Sequence, residues 1–251
     1  MSELTNERPI PNMIQEIPWP QALQAVKDST DFSDFAAFRA HLEASLPYNS
    51  AYTRVRYTST ILKYFFPGES LNNLPRLAWI AYRDDQILED LMRYQLLSQE
   101  PILSQFVLKH CAPLSPGSTI DKSVLEAFIQ EVDPKGREKM TQRLGKTLRR
   151  IGFMMYERQQ SIVAQLTPTK TSFLLLVHHF FAPTPRIVPL AEILAHPFWR
   201  YLGFRDAETV RRILHEASAK ELIAGYATVD QLEQITTRYT LDAWLEQALR
   251  L

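Results

Sequence analysis

The chain carries a single cysteine, Cys111, in 251 residues. That excludes an internal disulfide framework and a multi-cysteine zinc site, as expected for a reducing compartment. Cys111 closes the apolar stretch 106–111, where a buried inert thiol is expected, because a nucleophilic cysteine needs a nearby base or a cationic setting. Glycine is scarce, at 7 against 16 prolines. Helices bounded by proline fit that balance better than a sheet protein full of glycine turns. There is no excess of either charge, with Lys+Arg and Asp+Glu at 28 each. No whole-molecule field draws the chain to nucleic acid or an acidic membrane, so any such binding rests on local patches. Long hydrophobic runs are also missing. The strongest, 172–182, contains His178 and His179 and is too short to span a bilayer. Residues 1–19 carry Glu3, Glu7 and Glu16 among prolines, with no basic flank ahead of an apolar core, so no signal peptide is expected. These absences predict a cytoplasmic protein with no membrane partner.

What is present is 45% hydrophobic residues, ample for a packed core in one large domain or two to three small ones. Residues 1–18 read as an extended arm, since Pro9, Pro11 and Pro18 fix the backbone and remove donors. A helical domain over 19–112 follows. Phe35, Phe38, Leu42 and Leu46 recur at spacings of three and four behind Ser33, a suitable N-cap, and Pro47 ends that helix. Residues 50–66 are aromatic and apolar on more than one side, the pattern of a helix contacted by several neighbours. Pro67 and Gly68 break it. Helices over 74–82, 85–97 and 102–110 complete this part.

From Pro113 one order of elements occurs twice. In the first copy (113–168), helices at 118–132 and 134–151 end at Gly152 and lead to two short stretches, 153–158 and 161–166, able to pair as a β-ribbon. In the second (169–251), a linking hydrophobic helix at 171–181 precedes a short strand at 186–188, short helices within 190–202 and a longer helix at 207–223. Gly225 is expected to stop that helix before ribbon candidates at 226–229 and 234–239, and residues 241–249 close the chain. Helix, helix, glycine stop and two short strands is the order of a winged helix-turn-helix. The predicted fold class is thus mostly α: a helical N-terminal bundle followed by two winged-helix-like units.

On the helix 134–151, Met140, Leu144, Leu148 and Ile151 fall within about 80° of one another and form a core-facing stripe. The rest of its surface is basic: Lys135, Arg137, Lys139, Arg143, Lys146, Arg149 and Arg150 stand against one acid, Glu138. Lys139, Arg143, Lys146 and Arg150 follow the spacing i, i+4, i+7, i+11, a single ridge able to follow a phosphate backbone or sit in a major groove. A solvated face whose basic C-terminal half complements the helix dipole is the competing reading. The matching helix 207–223 looks self-neutralised, with Glu208 four residues before Arg212 and Glu216 four before Lys220; Arg211 and His215 are its candidates for nucleic-acid contact. Arg54, Arg56 and Lys63 lie among Tyr52, Tyr57 and Tyr64, and read as basic residues at the rim of a core helix.

No catalytic residues, metal site or cofactor are expected. His178 and His179 are adjacent, about 100° apart on a helix rather than one face apart by four residues. No glycine-rich phosphate loop, nucleophile elbow or zinc-ligand spacing occurs. Glu131, Asp133 and Lys135 offer two carboxylates and a lysine, yet straddle a proline at a helix start.

Three stretches carry a resemblance: RYTSTILKYFF from Arg56, DDQILEDLMRYQLLSQEPILSQFVLKH from Asp84, and REKMTQRLGKTLRRIGFM from Arg137, with Gly145, Leu148 and the Gly152-Phe153 exit. Across 56–153 the chain resembles the BrxA family, accessory proteins of the BREX phage-exclusion systems of bacteria. The resemblance implies an all-helical protein with helix-turn-helix or winged-helix units that binds double-stranded DNA without enzymatic activity, alongside other phage-defence proteins. The N-terminal extension of about 50 residues departs from that pattern. A protein-interaction scaffold and a transcriptional regulator remain the alternatives. Circular dichroism is expected to give a helix-dominated spectrum with a minor strand contribution.

Overall fold

The computed structural model describes residues 16–134, 137–230 and 232–248. These are mostly helical, with thirteen α-helices and two small antiparallel sheets among them. In chain order the elements are α1 (Trp19–Asp28), α2 (Phe35–Ser45), α3 (Ala51–Phe65), α4 (Leu74–Tyr82), α5 (Asp85–Gln99) and α6 (Pro101–Phe106), the last running on into a π-helical turn, Val107–Cys111. Then come α7 (Lys122–Val132), α8 (Arg137–Arg150), β1 (Met154–Glu157), β2 (Gln160–Val163), α9 (Lys170–Phe181) and β3 (Ile187–Pro189). The chain continues with α10 (Leu190–Ala195), α11 (Phe198–Leu202), α12 (Ala207–Ala219), β4 (Gly225–Val229), β5 (Leu232–Thr236) and α13 (Leu241–Ala248). The expected arm lies outside the described residues, except for 16–18.

Polar residues ahead of the helices set most starts by accepting an otherwise orphaned N–H. Asp34 accepts from the Ala37 amide at 2.8 Å, so it, and not Ser33, caps α2. Asn73, Thr169 and Asp206 cap α4, α9 and α12 in the same way. Helix α1 shows no spaced run of large apolar residues; it starts with Pro20 in its first turn and buries Trp19, Ala22, Ala25 and Val26.

Two compact units result, and neither follows the chain as a simple block. One holds Glu16 and Leu97–Gln165, the other Ile17–Leu96 and residues 166–248. In the second, the helices before Pro113 share a core with those after Gln165: Ala78, Ile87 and Leu91 pack in one cluster with Phe173, Leu175, Val210 and Ile235. Helix α9 is buried on nearly all sides, from Ser172 through His178 and again at Phe181.

In the first unit, Met140, Leu144, Leu148 and Ile151 are all buried, as the stripe requires. Gly152 ends α8 at φ 84°, with the Phe153 amide donating to the Leu148 carbonyl at 2.9 Å, a Schellman stop. Strands β1 and β2 pair from Met154↔Val163 to Glu157↔Gln160, joined by Arg158 and Gln159, both left-handed, the type I′ geometry that matches strand twist. Ahead of α7, Thr119 bridges to Ile162, so a short extended segment flanks β2 on its other side. The second unit repeats this connectivity with full strands, in the order β3-β5-β4. Its long helix stops differently from expectation. Glu221, not Gly225, is the left-handed residue after α12, and the Leu222 amide donates to the Ala217 carbonyl at 2.8 Å. Arg238 Nη1 reaches both the Glu221 carbonyl and its carboxylate at 3.0 Å, which offsets the strain of a non-glycine residue there. Gly225 lies in β4. At Gly203, φ is 110° and an added Cβ would lie 2.7 Å from the Leu166 side chain, so only glycine fits after α11.

A buried ion pair joins the two chain segments of the second unit. Asp90, fully buried, accepts from Arg93 Nη1 at 2.9 Å, from Gln86 Nε2 at 3.1 Å and from the Thr169 amide at 2.7 Å. Arg93 Nη1 also donates to the Leu202 carbonyl at 3.4 Å. Removing one member of such a pair strands the other charge, so Asp90→Ala is expected to lower unfolding free energy by about 3–5 kcal/mol in urea titrations, and Asp90→Asn by less. Within α9, His178 is fully buried with Nδ1 2.8 Å from the Leu174 carbonyl, and burial pushes its imidazole below the usual histidine range. The unfolded chain therefore takes up the proton first as pH falls, so the stabilisation is whole above about pH 6.5 and is lost below it. Melting temperature is expected to drop between pH 7 and 5.5, and His178→Phe is expected to flatten that profile.

Candidate nucleic-acid interface

With its apolar stripe buried, α8 turns Lys139, Gln142, Lys146 and Arg150 to solvent and leaves Arg143 and Arg149 half-buried. Lys135 lies outside the described residues. Gly145 lets α7 close against α8: a Cβ there would meet Leu125 Cδ2 at 3.2 Å. That packing sets α8 beside the β1–β2 hairpin, and the two border a groove of about 490 Å³. Lys122, Gln142, Lys146, Arg149, Tyr156 and Gln159 stand along it. The Arg149 guanidinium lies over the Tyr156 ring at 4.3 Å, and that ring is 61% exposed. Cations, amides and one exposed aromatic thus converge on a single trough. Of these, Lys122, Gln142, Tyr156 and Gln159 escape a reading based on charge spacing along one helix, because three of the four come from the hairpin and the start of α7.

Of the predicted ridge, Lys139, Lys146 and Arg150 are exposed while Arg143 is half-buried, and part of it is occupied from within the chain. Glu16 Oε1 lies 2.5 Å from Lys146 Nζ and 3.1 Å from Arg150 Nη2, and these two cations, Lys146 foremost, hold its carboxyl below the ordinary glutamate range. The three side chains are at least a quarter exposed, so each pair is worth no more than about 1 kcal/mol. A polyanion bringing several phosphates can outcompete a contact of that size.

The second unit handles its charges otherwise. Arg211 Nε donates to Glu233 at 2.9 Å, and Tyr226 Oη donates to the same carboxylate at 2.5 Å. His215 stacks on the Tyr226 ring at 3.8 Å. Arg211 and His215 are therefore locked onto their own hairpin rather than presented to a ligand. Burial, with the Glu233 carboxylate behind it, raises the Tyr226 phenol far above its usual range, while Tyr226 and Arg211 lower Glu233. The expected i, i+4 pairs are not the ones formed. Glu208 reaches Arg211 at 3.7 Å, and Glu216 pairs with Arg212 at 3.1 Å and with Lys170.

Comparison of the chain with protein-family models, curated proteins and solved structures finds no match.

The remaining candidates have structural uses. Arg54 donates to the carbonyls of Glu43, Tyr48 and Asn49, so it ties the α2–α3 connection, and Tyr57 stacks on Tyr48 at 4.7 Å. Glu131 pairs with Lys109 at 2.8 Å. Cys111 is buried. Among the described residues, no three His, Cys, Asp or Glu side chains gather as a metal-ligand set.

Proposed function

We propose that this chain is a non-enzymatic, double-stranded DNA-binding accessory protein of a bacterial phage-defence system, acting in the cytoplasm through two winged helix-turn-helix units. The observation that carries the reading is the convergence of Gln142, Lys146 and Arg149 of α8 with the β1–β2 hairpin on one groove, with Lys139 exposed on the same helix. Connectivity supports it: each unit runs helix, short extended segment, helices, hairpin, with the extended segment against the second hairpin strand. In a winged helix the last helix before the hairpin enters the major groove, which is wide enough for it, while the hairpin lies on the adjacent backbone. The resemblance to the BrxA family supports the defence setting. Among the described residues no helix is long and apolar enough to cross a membrane.

The second unit favours a protein partner, the scaffold reading. Its Arg211 and His215 are held by Glu233 and Tyr226, and its sheet exposes Ile187 at 58%, Val229 at 50% and Leu232 at 72%. Exposed apolar side chains suit contact with protein better than with phosphate.

Fluorescence anisotropy with duplex DNA over a salt series tests the reading. Affinity is expected to fall with a log-log slope of about −3 to −5, for four to six neutralised phosphates. Lys139→Glu with Lys146→Glu is expected to weaken binding well over tenfold, whereas Arg212→Glu, on the self-paired helix, leaves it nearly unchanged. A folded double variant that binds like the parent, or a parent that does not bind at low salt, rejects it. Glu16→Gln removes the acid that pairs with Lys146 and Arg150 and is expected to tighten binding about two- to fivefold at low salt, the size of an exposed ion pair.

A further inference from the structure

Within the second unit, α9, α12 and α13 together with Tyr82 of α4 border a cleft of about 360 Å³. Its floor is apolar, made by Leu174, Ile213, Leu222 and the Trp244 ring. That ring is fixed on two sides: Trp244 Nε1 donates to Tyr82 Oη at 2.8 Å, and the indole packs at a tilt against the buried His178 imidazole, with ring centroids 4.3 Å apart. A wall held this way loses little freedom when a ligand packs on it. The Tyr82 oxygen accepts from Trp244, so its own O–H remains to donate, and burial raises the phenol above its usual range and keeps that proton in place.

The rim is polar and unevenly compensated. Glu216 is taken by Lys170 and by Arg212 Nη1 at 3.1 Å. Lys220, four residues further along and also bordering the cleft, has no acidic partner among the described residues. Lys170 and Arg212 already outnumber the one carboxylate, so among the described residues the Lys220 ammonium at the mouth of this apolar cleft has no counter-ion. A phosphate dianion normally meets an arginine fork or a run of backbone amides, and this rim offers neither. A cleft near the small end of the range for small-molecule sites, with one cation left over after Lys170 pairs with Glu216 and with a neutral phenol donor, suits a single negative charge on a short apolar body.

We propose that this cleft binds an amphipathic monocarboxylate of about ten carbons, its acyl or aryl body on Leu174, Ile213, Leu222 and Trp244 and its carboxylate on the Lys220 ammonium. The site is independent of α8 and of any nucleic acid.

Isothermal titration of the full chain, without DNA, against decanoate, decanol and decylamine tests it. Decanoate is expected to bind at least tenfold tighter than decylamine, with decanol between them. Lys220 is exposed, so substitution there leaves the core intact; Lys220→Glu is expected to weaken decanoate at least tenfold without moving the melting temperature, and Lys220→Arg to retain it. Equal binding of the three probes, no heat with decanoate, or a folded Lys220→Glu protein that binds decanoate like the parent overturns the proposal.

Discussion

A carboxylate with no access to water holds the larger unit together. Taking Asp90 and Arg93 out of solvent costs several kcal/mol for each ion, and only close geometry and further hydrogen bonds recover it. Asp90 has both: Arg93 and Gln86 from its own helix, and the backbone amide of Thr169 from a segment 79 residues away in sequence. The Thr169 contact fixes where α9 begins, and α9 is the helix around which that unit's core is built. Arg93 extends the hold to the end of α11 through the Leu202 carbonyl. Apolar packing gives the unit its bulk stability. The polar cluster decides which helices meet.

Charge is allocated differently in the two repeats, although their connectivity agrees. On α8 Lys139, Lys146 and Arg150 face outward, and the acid that meets Lys146 and Arg150, Glu16, comes from a distant part of the sequence. On α12 the acids come from the same helix or its own hairpin, and Arg211, Glu233, Tyr226 and His215 close into a single polar cluster. A chain with zero formal charge can thus keep one basic surface by neutralising the others locally. One copy keeps cations exposed on its long helix. The other withdraws its cations and exposes uncharged sheet.

Local chemistry was legible in the sequence wherever a short rule governs it. The stripe Met140, Leu144, Leu148 and Ile151, the stop at Gly152 and both ribbons follow from periodicity and from the backbone freedom of glycine. The misses have physical reasons. Asp34 displaces Ser33 as a cap by one residue, which periodicity does not resolve. Glu221 takes a conformation that favours glycine because Arg238 compensates it from beyond the next strand pair. Arg212 and Lys220 each have an acid four residues before them, but Lys170, from another helix, competes for Glu216 and redistributes the pairs. Glu16 on α8 and the shared core of α4, α5 and α9 are long-range facts with no signature in any window of sequence.

The interleaved division of the chain also bears on its synthesis. At about 5–20 residues per second, a ribosome emits Ile17–Leu96 roughly 3–14 s before it begins the segment that completes their core. During that interval Leu97–Gln165 emerges whole and is free to fold as an insert, whereas α5 waits with Asp90 and Arg93 still hydrated and its apolar face uncovered. Ions in water are an asset to a waiting helix, since they oppose the premature collapse and aggregation that a purely apolar seam invites. The same two side chains that join the halves of the finished core thus leave charge on its first half until the second half arrives.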